Sequence, residues 1–277
     1  MSSFPVPLLF FFFSSLFVSS VLSDQAAFSS HLLPRPLILE YPENSVETLQ
    51  TQLSQFDADE LTLQCTSWRV AGEANNLNPW KTIPDECLEY VRGYVNGKGY
   101  LVDLQRVADE AVAYAKGLQL QGDGKDVWVF DIDETLLSNL PYYKDHGYGA
   151  EVFNPVDFDM WVDKATAPAL EASLKLYQQL LDMGFKIILL TGRSEAQRAV
   201  TDQNLRSAGF QSWDRLILRA TEDHGKLAAT YKSEKRDEML EAGYRILGNS
   251  GDQWSDLLGW PMSTRSFKLP NPMYYIS

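Results

Sequence analysis

Short apolar runs alternate with stretches of helical periodicity in the second half of the chain. The apolar runs are VWVFDI (127–132), KIILLT (186–191), RLILRA (215–220) and YRILGN (244–249). Between them, apolar residues recur every three or four positions at residues 167–184, 194–209 and 234–243, as in amphipathic helices. Strands that alternate with helices indicate βαβ units. We therefore predict an α/β fold with a mostly parallel sheet that helices cover on both faces.

The first half of the chain follows a different pattern, which is irregular and then helical. Helical spacing is found at residues 82–95 and 100–118. The polar, glycine-containing stretch QGDGKD (121–126) follows the second of these helices and marks the predicted domain boundary. We therefore predict a mainly helical N-terminal extension over residues 24–123 and an α/β domain over residues 124–277.

The first 23 residues carry no charged side chain. Their apolar core, LLFFFFSSLFV (8–18), is short for a membrane span, and Val21 and Ser23 fit a small-residue cleavage pattern before Asp24. These features favour a secretory signal peptide over residues 1–23, although no Lys or Arg marks its beginning. An N-terminal anchor or a buried segment is the alternative.

Composition limits the partners and the compartment. The net charge of −13 argues against nucleic acid or an anionic membrane as a partner of the mature protein. The chain has 45% apolar residues, enough for a sizeable core. In an oxidising compartment, the pair Cys65 and Cys87 predicts one disulfide. Two buried free thiols are the alternative if the signal peptide is absent.

Two carboxylates, Asp131 and Asp133, follow the first strand of the predicted sheet. Alternate residues of a strand point to the same side, and ligands bind at the C-terminal ends of parallel strands. Two neighbouring acids are unfavourable unless a cation or a shared proton compensates, so the pair suggests a divalent metal and phosphate chemistry. A plain acidic turn is the alternative. A calcium-binding EF-hand loop is excluded, because Leu136 and Tyr142 occupy the places of its central Gly and final Glu.

The second predicted strand also ends in polar residues. Thr191, Gly192 and Arg193 offer a hydroxyl, a flexible turn and backbone donors, which suit a phosphate oxygen. Ser194 and Gln197 fit a capping box that opens the next helix. A well-formed turn without a ligand is therefore the alternative interpretation.

The remaining candidates lie near the end of the chain. Asp252 and Asp256 follow the fourth predicted strand, and Asp131 with Asp252 would supply the one or two carboxylates that Mg²⁺ prefers. Lys232, in YKSEKR, brings a point charge that would keep a nucleophilic carboxylate ionised and neutralise phosphate. A solvated acidic loop and a solvated helix face are the alternatives.

In this order, the four motifs resemble those of the haloacid dehalogenase (HAD) superfamily of phosphohydrolases. The motifs are DIDET, LLTGR, the KSEKR lysine and GNSGDQWSD. Longer stretches, such as DVWVFDIDETLLSNLPYY and RSFKLPNPMYYI, are similar to plant acid phosphatases related to vegetative storage proteins. The likeness runs from about His31 to the C-terminus, apart from residues 43–64. It implies a HAD-like Rossmannoid fold and a secreted or vacuolar, Mg²⁺-dependent acid phosphatase that acts on small-molecule phosphomonoesters.

The resemblance also implies roles for individual residues. Asp131 would be the nucleophile that forms an aspartyl-phosphate, and Lys232 would neutralise the phosphate. Asp133 would protonate the leaving alcohol and then activate water, while its backbone carbonyl binds the metal. An acidic pH optimum is expected, because Asp133 must carry a proton in the first step.

The same resemblance implies the binding residues. Thr191 and Gly192 would hold the transferred phosphoryl group, with Arg193 as a further substrate-binding residue. Asp252 would ligate Mg²⁺, and Asp256 would support the metal or Lys232. The implied metal ligands are thus Asp131, Asp133, Asp252 and Asp256.

Residues 138–163 occupy the place of a flap or small cap over the site. Aromatic residues there are expected to line a pocket for an apolar or aromatic leaving group, with core packing as the alternative: Tyr142, Tyr143, Phe153, Phe158 and Trp161. A full cap domain is not expected, because the stretch is short.

A storage protein with little catalysis is the alternative function, because the similar plant proteins include storage proteins. A non-catalytic form could lose its nucleophile, whereas this chain keeps Asp131 together with the other motif residues. A phosphotransferase or nucleotidase of the same superfamily would differ only in acceptor and leaving group. The oligomeric state is left open by the sequence, a homodimer included.

Overall fold

The computed structural model describes residues 46–77 and 79–277, with side chains from residue 58 onwards. The predicted signal peptide over residues 1–23 lies outside the described residues. By their contacts, residues 50–277 form one unit. In the part of the chain that the structure describes, no helix has both the length and the hydropathy that crossing a membrane requires.

A parallel sheet of five strands lies at the centre of the described fold. The strand order is β3-β2-β1-β4-β5, and all pairs are parallel. The strands are β1 (Asp126–Phe130), β2 (Lys186–Ser194), β3 (Arg215–Arg219), β4 (Arg245–Gly251) and β5 (Arg265–Lys268). Because the strands are parallel, their C-terminal ends meet at one edge of the sheet. This arrangement confirms the predicted α/β fold.

Helices cover both faces of the sheet. The helices of the described chain are α1 (Val46–Glu73), α2 (Leu88–Val95), α3 (Lys98–Lys116), α4 (Leu140–Asp145), α5 (Pro155–Val162), α6 (Glu171–Asp182), α7 (Arg198–Ser207), α8 (Ala228–Glu241) and α9 (Trp254–Leu257). Side chains of β1 alternate between the faces: Trp128 and Phe130 belong to the core beneath α3 and α6, while Val127 and Val129 pack with residues of α8. Helix α8 begins earlier than predicted, so Lys232 lies inside it.

The centre of the sheet requires one glycine. The pairing of β1 with β4 shifts between Val127 and Trp128, and the Trp128 ring lies directly against Gly248. A Cβ at Gly248 would be 2.4 Å from ring atoms of Trp128. The indole nitrogen of Trp128 donates to the Ser250 hydroxyl oxygen at 2.9 Å. Trp128 therefore fixes β4 just before the strand reaches the candidate site.

The extension packs on the α/β part of the unit through α3. Helix α3 shares its core with β1 and α6, and the boundary at residue 123 stays a prediction. Within the extension, a disulfide joins Cys65 to Cys87, as predicted. The periodicity did not reveal α1, because exposed apolar residues such as Leu61, Leu63 and Val70 interrupt any single apolar face.

Strand β5 was also missed by the sequence patterns. It has four residues, and its only fully buried side chain is Phe267, so it shows no apolar run. It pairs with β4 from Gly248 to Gly251. The strand therefore covers the β4 edge beside the candidate site. It is followed by the C-terminal segment, residues 271–276.

Candidate active site

Asp131 lies at the centre of the polar edge, directly after β1. Its backbone N–H donates to the carbonyl oxygen of Ser250 on β4 at 3.0 Å. The side chain is buried, and its Oδ1 accepts from Nζ of Lys232 at 2.5 Å. Burial raises the pKa of the Asp131 carboxyl well above its usual value, although the Lys232 ammonium acts in the opposite direction.

Lys232 bridges two carboxylates from the interior of α8. Besides Asp131, its Nζ contacts Oδ1 of Asp256 at 2.5 Å. Burial alone would lower the pKa of Lys232, but Asp131 and Asp256 outweigh burial and raise it, so the ammonium stays charged. One turn later, the buried Arg236 donates to the backbone carbonyl of Asp256 at 2.7 Å. Helix α8 therefore holds both the side chain and the backbone of Asp256.

A tight turn after β4 places Asp256 beside Lys232. The N–H of Gln253 donates to Oδ2 of Asp256 at 2.8 Å, in the capping box that opens α9. A Cβ at Gly251 would lie 2.4 Å from Cβ and Oδ2 of Asp256. Glycine is thus required at position 251 for this approach.

Asp252 completes a group of three buried carboxylates. One oxygen each of Asp131, Asp252 and Asp256 lies within 4.8 Å of the others. Oδ2 of Asp252 accepts from Gln253 Nε2 at 2.8 Å and from Asn271 Nδ2 at 2.7 Å. Burial, reinforced by the charge of Asp256, raises the pKa of Asp252 to about 6. Three carboxylates with one ammonium leave an excess of negative charge, which suits a divalent cation.

Asp133 has a different environment from Asp131. Arg193 donates to it through Nη2 at 2.7 Å and through Nε at 3.1 Å, and Asn139 Nδ2 donates at 2.8 Å. Burial alone would raise the pKa of Asp133, but Arg193 and Asn139 outweigh it and lower the pKa. The amide oxygen of Asn139 accepts from Trp161 Nε1 of α5 at 2.9 Å. A side chain of the predicted flap thereby helps to orient Asp133.

The TGR residues protrude from the ladder at the end of β2. Leu190 pairs with Ile217 and Ser194 with Arg219, so the residues between form a bulge. The Thr191 hydroxyl accepts from the N–H of Arg193 at 3.1 Å. Gly192 is exposed, and a Cβ there would have open space around it. The bulge therefore has open space at Gly192, next to the buried Thr191.

Glu134 is a buried acid that the sequence did not single out. Its φ is 52°, an uncommon backbone conformation for a non-glycine residue. The carboxylate accepts from the N–H of Asn139 at 2.5 Å and from the Tyr274 hydroxyl at 3.0 Å. Burial, followed by the charges of Asp252 and Asp133, raises its pKa to about 8. Glu134 thus joins the turn after β1 to the C-terminal segment.

The predicted flap folds as α4 and α5 beside the site. Tyr142 and Tyr143 are buried in a core with Ile83 and Met273 of more distant segments. This agrees with core packing, the alternative to lining a pocket, for these two residues. Phe153 is half exposed. The predicted pocket for a leaving group stays a prediction.

The structure thus brings Asp131, Lys232, Asp252 and Asp256 into one cluster. Arg193 contacts Asp133, and its predicted role in binding substrate stays a prediction. Asn139 and Asn271 were not identified from the sequence. Each acts through a side-chain amide that bonds to a carboxylate, and a single sequence carries no periodic signal for such a contact.

This arrangement of motifs matches a known family. Residues 50–277 match the family described as HAD superfamily, subfamily IIIB (acid phosphatase). The chain belongs to this acid phosphatase family. The predicted family, the HAD-like fold and the prediction of an acid phosphatase are therefore confirmed. HAD phosphatases use a divalent metal, and the family implies a small-molecule phosphoester as substrate.

Curated relatives agree with the family. The chain is 61% identical over 248 residues to "Acid phosphatase 1" of Solanum lycopersicum, which covers 90% of this chain and 92% of the relative. It is 41% identical to "Vegetative storage protein 2" of Arabidopsis thaliana, over 76% of this chain and 80% of the relative. The relatives of this family thus include proteins named for storage as well as for catalysis.

A solved structure supports the fold. The class C acid phosphatase from Bacillus anthracis matches with a TM-score of 0.56 and 23% identity, over 69% of this chain and 86% of that chain. At this level of identity, the likeness supports the fold alone.

Proposed function

We propose that the protein hydrolyses small phosphomonoesters through an aspartyl-phosphate on Asp131. The observation that carries this proposal is the contact of Asp131 with Lys232 at 2.5 Å, in a buried cluster at the C-terminal edge of the sheet. The ammonium opposes the effect of burial, favours the ionised form of the carboxylate and attracts an anionic substrate. In the first step, an Asp131 oxygen bonds to phosphorus while the bond from phosphorus to the ester oxygen breaks. In the second step, water takes the phosphoryl group from Asp131 and releases phosphate.

The carboxylates fit Mg²⁺ as the divalent metal. Magnesium binds through one or two protein carboxylates together with substrate phosphate and water. Asp131 and Asp252 would hold it, with the backbone carbonyl of Asp133 as a further ligand. Asp256 already contacts Lys232, so its main role would be to hold that ammonium. When bound, Mg²⁺ supplies positive charge that neutralises the phosphate oxygens.

Asp133 is the proposed proton carrier of the reaction. It would give a proton to the leaving alcohol and take one from the attacking water. Arg193 holds its carboxylate at 2.7 Å and lowers its pKa. An anionic phosphoryl group beside Asp133 would raise that pKa, because like charge disfavours the ionised form. Substrate itself would thus promote the protonated state that the first step requires.

Thr191 and Gly192 are proposed to bind the transferred phosphoryl group. The open space at Gly192 supports this role, since a ligand can approach its backbone N–H closely.

A location in the secretory pathway, secreted or vacuolar, is supported by the Cys65–Cys87 disulfide, since such bonds persist in oxidising compartments.

The test is a phosphatase assay on the mature protein with a panel of aryl and alkyl phosphates, with Mg²⁺ and with EDTA. Asp131→Asn should reduce turnover by several orders of magnitude, and EDTA should do the same. Asp126→Asn, the same substitution at the other end of β1, is the matched control and should keep the parent's rate. A storage protein would show little turnover in the parent, and near-parent turnover of Asp131→Asn would remove Asp131 from the mechanism.

A further inference from the structure

Within the cluster, Asp252 is the carboxylate that accepts hydrogen bonds mainly from side-chain amides. Two amide groups, those of Gln253 and Asn271, donate to its Oδ2 at 2.8 and 2.7 Å. The other oxygen, Oδ1, accepts from the Thr135 hydroxyl at the longer distance of 3.3 Å. The amides thus fix one oxygen firmly and leave Oδ1 as the better placed ligand for a cation.

The C-terminal segment, residues 271–276, orients both of these amides. The N–H of Met273 donates to Oδ1 of Asn271 at 2.9 Å, which leaves the NH₂ group of Asn271 directed at Asp252. The N–H of Ile276 donates to Oε1 of Gln253 at 3.0 Å, which fixes the second amide in the same way. Neither amide can rotate without losing one of these bonds.

Glu73, the last residue of α1, anchors the C-terminal segment. Its Oε1 accepts from the N–H of Asn271 at 2.8 Å, and its Oε2 accepts from Lys268 Nζ at 2.7 Å. Its carbonyl oxygen accepts from Trp254 Nε1 at 2.9 Å. A residue of the N-terminal extension is therefore bonded directly to the residue that holds Asp252.

We propose that Asn271 is a positioning residue for the metal site and that Glu73 acts on the site through Asn271. This inference rests on the proposed binding of Mg²⁺ by Asp252. Partners that orient a metal ligand typically contribute a factor of about 10–100 to metal affinity. Asn271 is 5% exposed, so water does not readily replace its bond to Asp252 when the amide is removed.

The test measures Mg²⁺ affinity rather than turnover. EDTA-treated, desalted mature protein is titrated with Mg²⁺, and the rise in Tm with concentration gives the apparent Kd. Asn271→Ala should raise that Kd by about 10–100-fold, while kcat at saturating Mg²⁺ is largely restored. Asn204→Ala is the matched control: Asn204 is also buried, and its amide bonds to the backbone of Ala167 at 2.8 Å, away from the carboxylate cluster. It should leave the Kd unchanged.

Glu73 variants test the second half of the proposal. Glu73→Ala should weaken Mg²⁺ binding less than Asn271→Ala does, whereas Glu73→Gln keeps an oxygen acceptor for the N–H of Asn271 and should bind Mg²⁺ nearly as the parent does. The double variant Glu73→Ala/Asn271→Ala should bind no more weakly than Asn271→Ala alone, because residues that act through one contact are not additive.

The outcomes separate this inference from the proposed function. If the parent shows no response to Mg²⁺, the proposed metal is wrong. If the parent responds and Asn271→Ala has the parent's Kd, the inference is overturned. Additive losses in the double variant would overturn the role of Glu73. If Asn271→Ala does not fold, the comparison of Glu73→Ala with Glu73→Gln still tests the proposal. Equal Kd values for these two variants would contradict it.

Discussion

Strands β1 and β4 lie side by side, and each carries charged residues at both of its ends. At the N-terminal ends, Arg245 on β4 contacts Asp126 on β1 at 2.6 Å and Asp123 in the preceding turn. At the C-terminal ends, Lys232 contacts Asp131 and Asp256. Each end therefore holds a cation between two carboxylates, but the pKa of Asp131 is raised, whereas the pKa values of Asp123 and Asp126 are lowered.

Solvent access to the whole cluster explains the difference between the two ends: Arg245 and Asp123 are accessible to solvent, although Asp126 is buried, whereas Lys232, Asp131 and Asp256 are all buried. Asp123 is exposed, and hydrogen bonds from Arg245 lower the pKa of Asp126 and lower that of Asp123 to about 2. Burial raises the pKa of Asp131 instead, and Asp252 adds another buried carboxylate nearby. The cluster around Arg245 stabilises the folded chain. The buried carboxylates around Lys232 destabilise it as long as no cation is bound to them. Such clusters are typical of active sites, where function opposes stability.

The C-terminal ends of β1 and β4 are the buried end of this pair of strands. Replacing Lys232 there should have the largest effect on stability and turnover. Lys232→Met leaves Asp131 and Asp256 buried without their ammonium, and removing one partner of a buried pair costs about 3–5 kcal/mol of unfolding free energy. Turnover should fall by several orders of magnitude. Denaturant unfolding and a phosphatase assay measure the two effects.

The double variant Lys232→Met/Asp256→Asn sharpens this prediction. It removes one of the stranded charges, so part of the lost stability should return while turnover stays low. A Lys232→Met protein that unfolds at the parent's denaturant concentration would show that the carboxylates do not need the ammonium. The comparison of the two ends would then fail.

Sequence reasoning predicted the carboxylates of the candidate site better than the residues that hold them. Asp131 was identified because it follows an apolar run at an edge where other strands also end in polar residues. Asn271, which bonds to Asp252, and Glu73, which bonds to Asn271, were missed, because both lie far from Asp252 in the sequence and amides fit many environments. Arg193 was placed at the right edge, but which anion it contacts depends on distances that a single sequence does not contain.

Gly251 tests how closely the buried end is packed. In Gly251→Ala, the new Cβ would lie 2.4 Å from atoms of Asp256, so Asp256 must move and Lys232 with it. A displacement of about 1 Å at a catalytic group can reduce turnover by about 100-fold, and overpacking should cost about 1–3 kcal/mol. Steady-state kinetics and denaturant unfolding provide the measurements.

Gly93→Ala in α2 is the matched control for Gly251→Ala. Gly93 is exposed, and a Cβ there meets no atom within 4 Å. The substitution should stabilise the helix by about 0.5–1 kcal/mol and leave turnover unchanged. If Gly251→Ala behaved like Gly93→Ala, the contact between Gly251 and Asp256 would have no role in holding Lys232.

Asp126→Asn at the other end of β1 should have the smallest effect and the clearest dependence on pH. The variant loses the charged contact with Arg245, so its Tm should be lower by about 2–4 °C at neutral pH, with parent turnover. Because the folded pKa of Asp126 is lowered from an unfolded value of about 3.9, its stabilisation is complete above about pH 5. The difference in Tm should therefore shrink as the pH falls below about 4, through the folded pKa, and a difference that grows on acidification would contradict the assignment. Asp131→Asn should show the opposite combination: its turnover in Mg²⁺ is lost, whereas its Tm in EDTA is not lowered, because a buried carboxylate with a raised pKa has been replaced by a neutral amide.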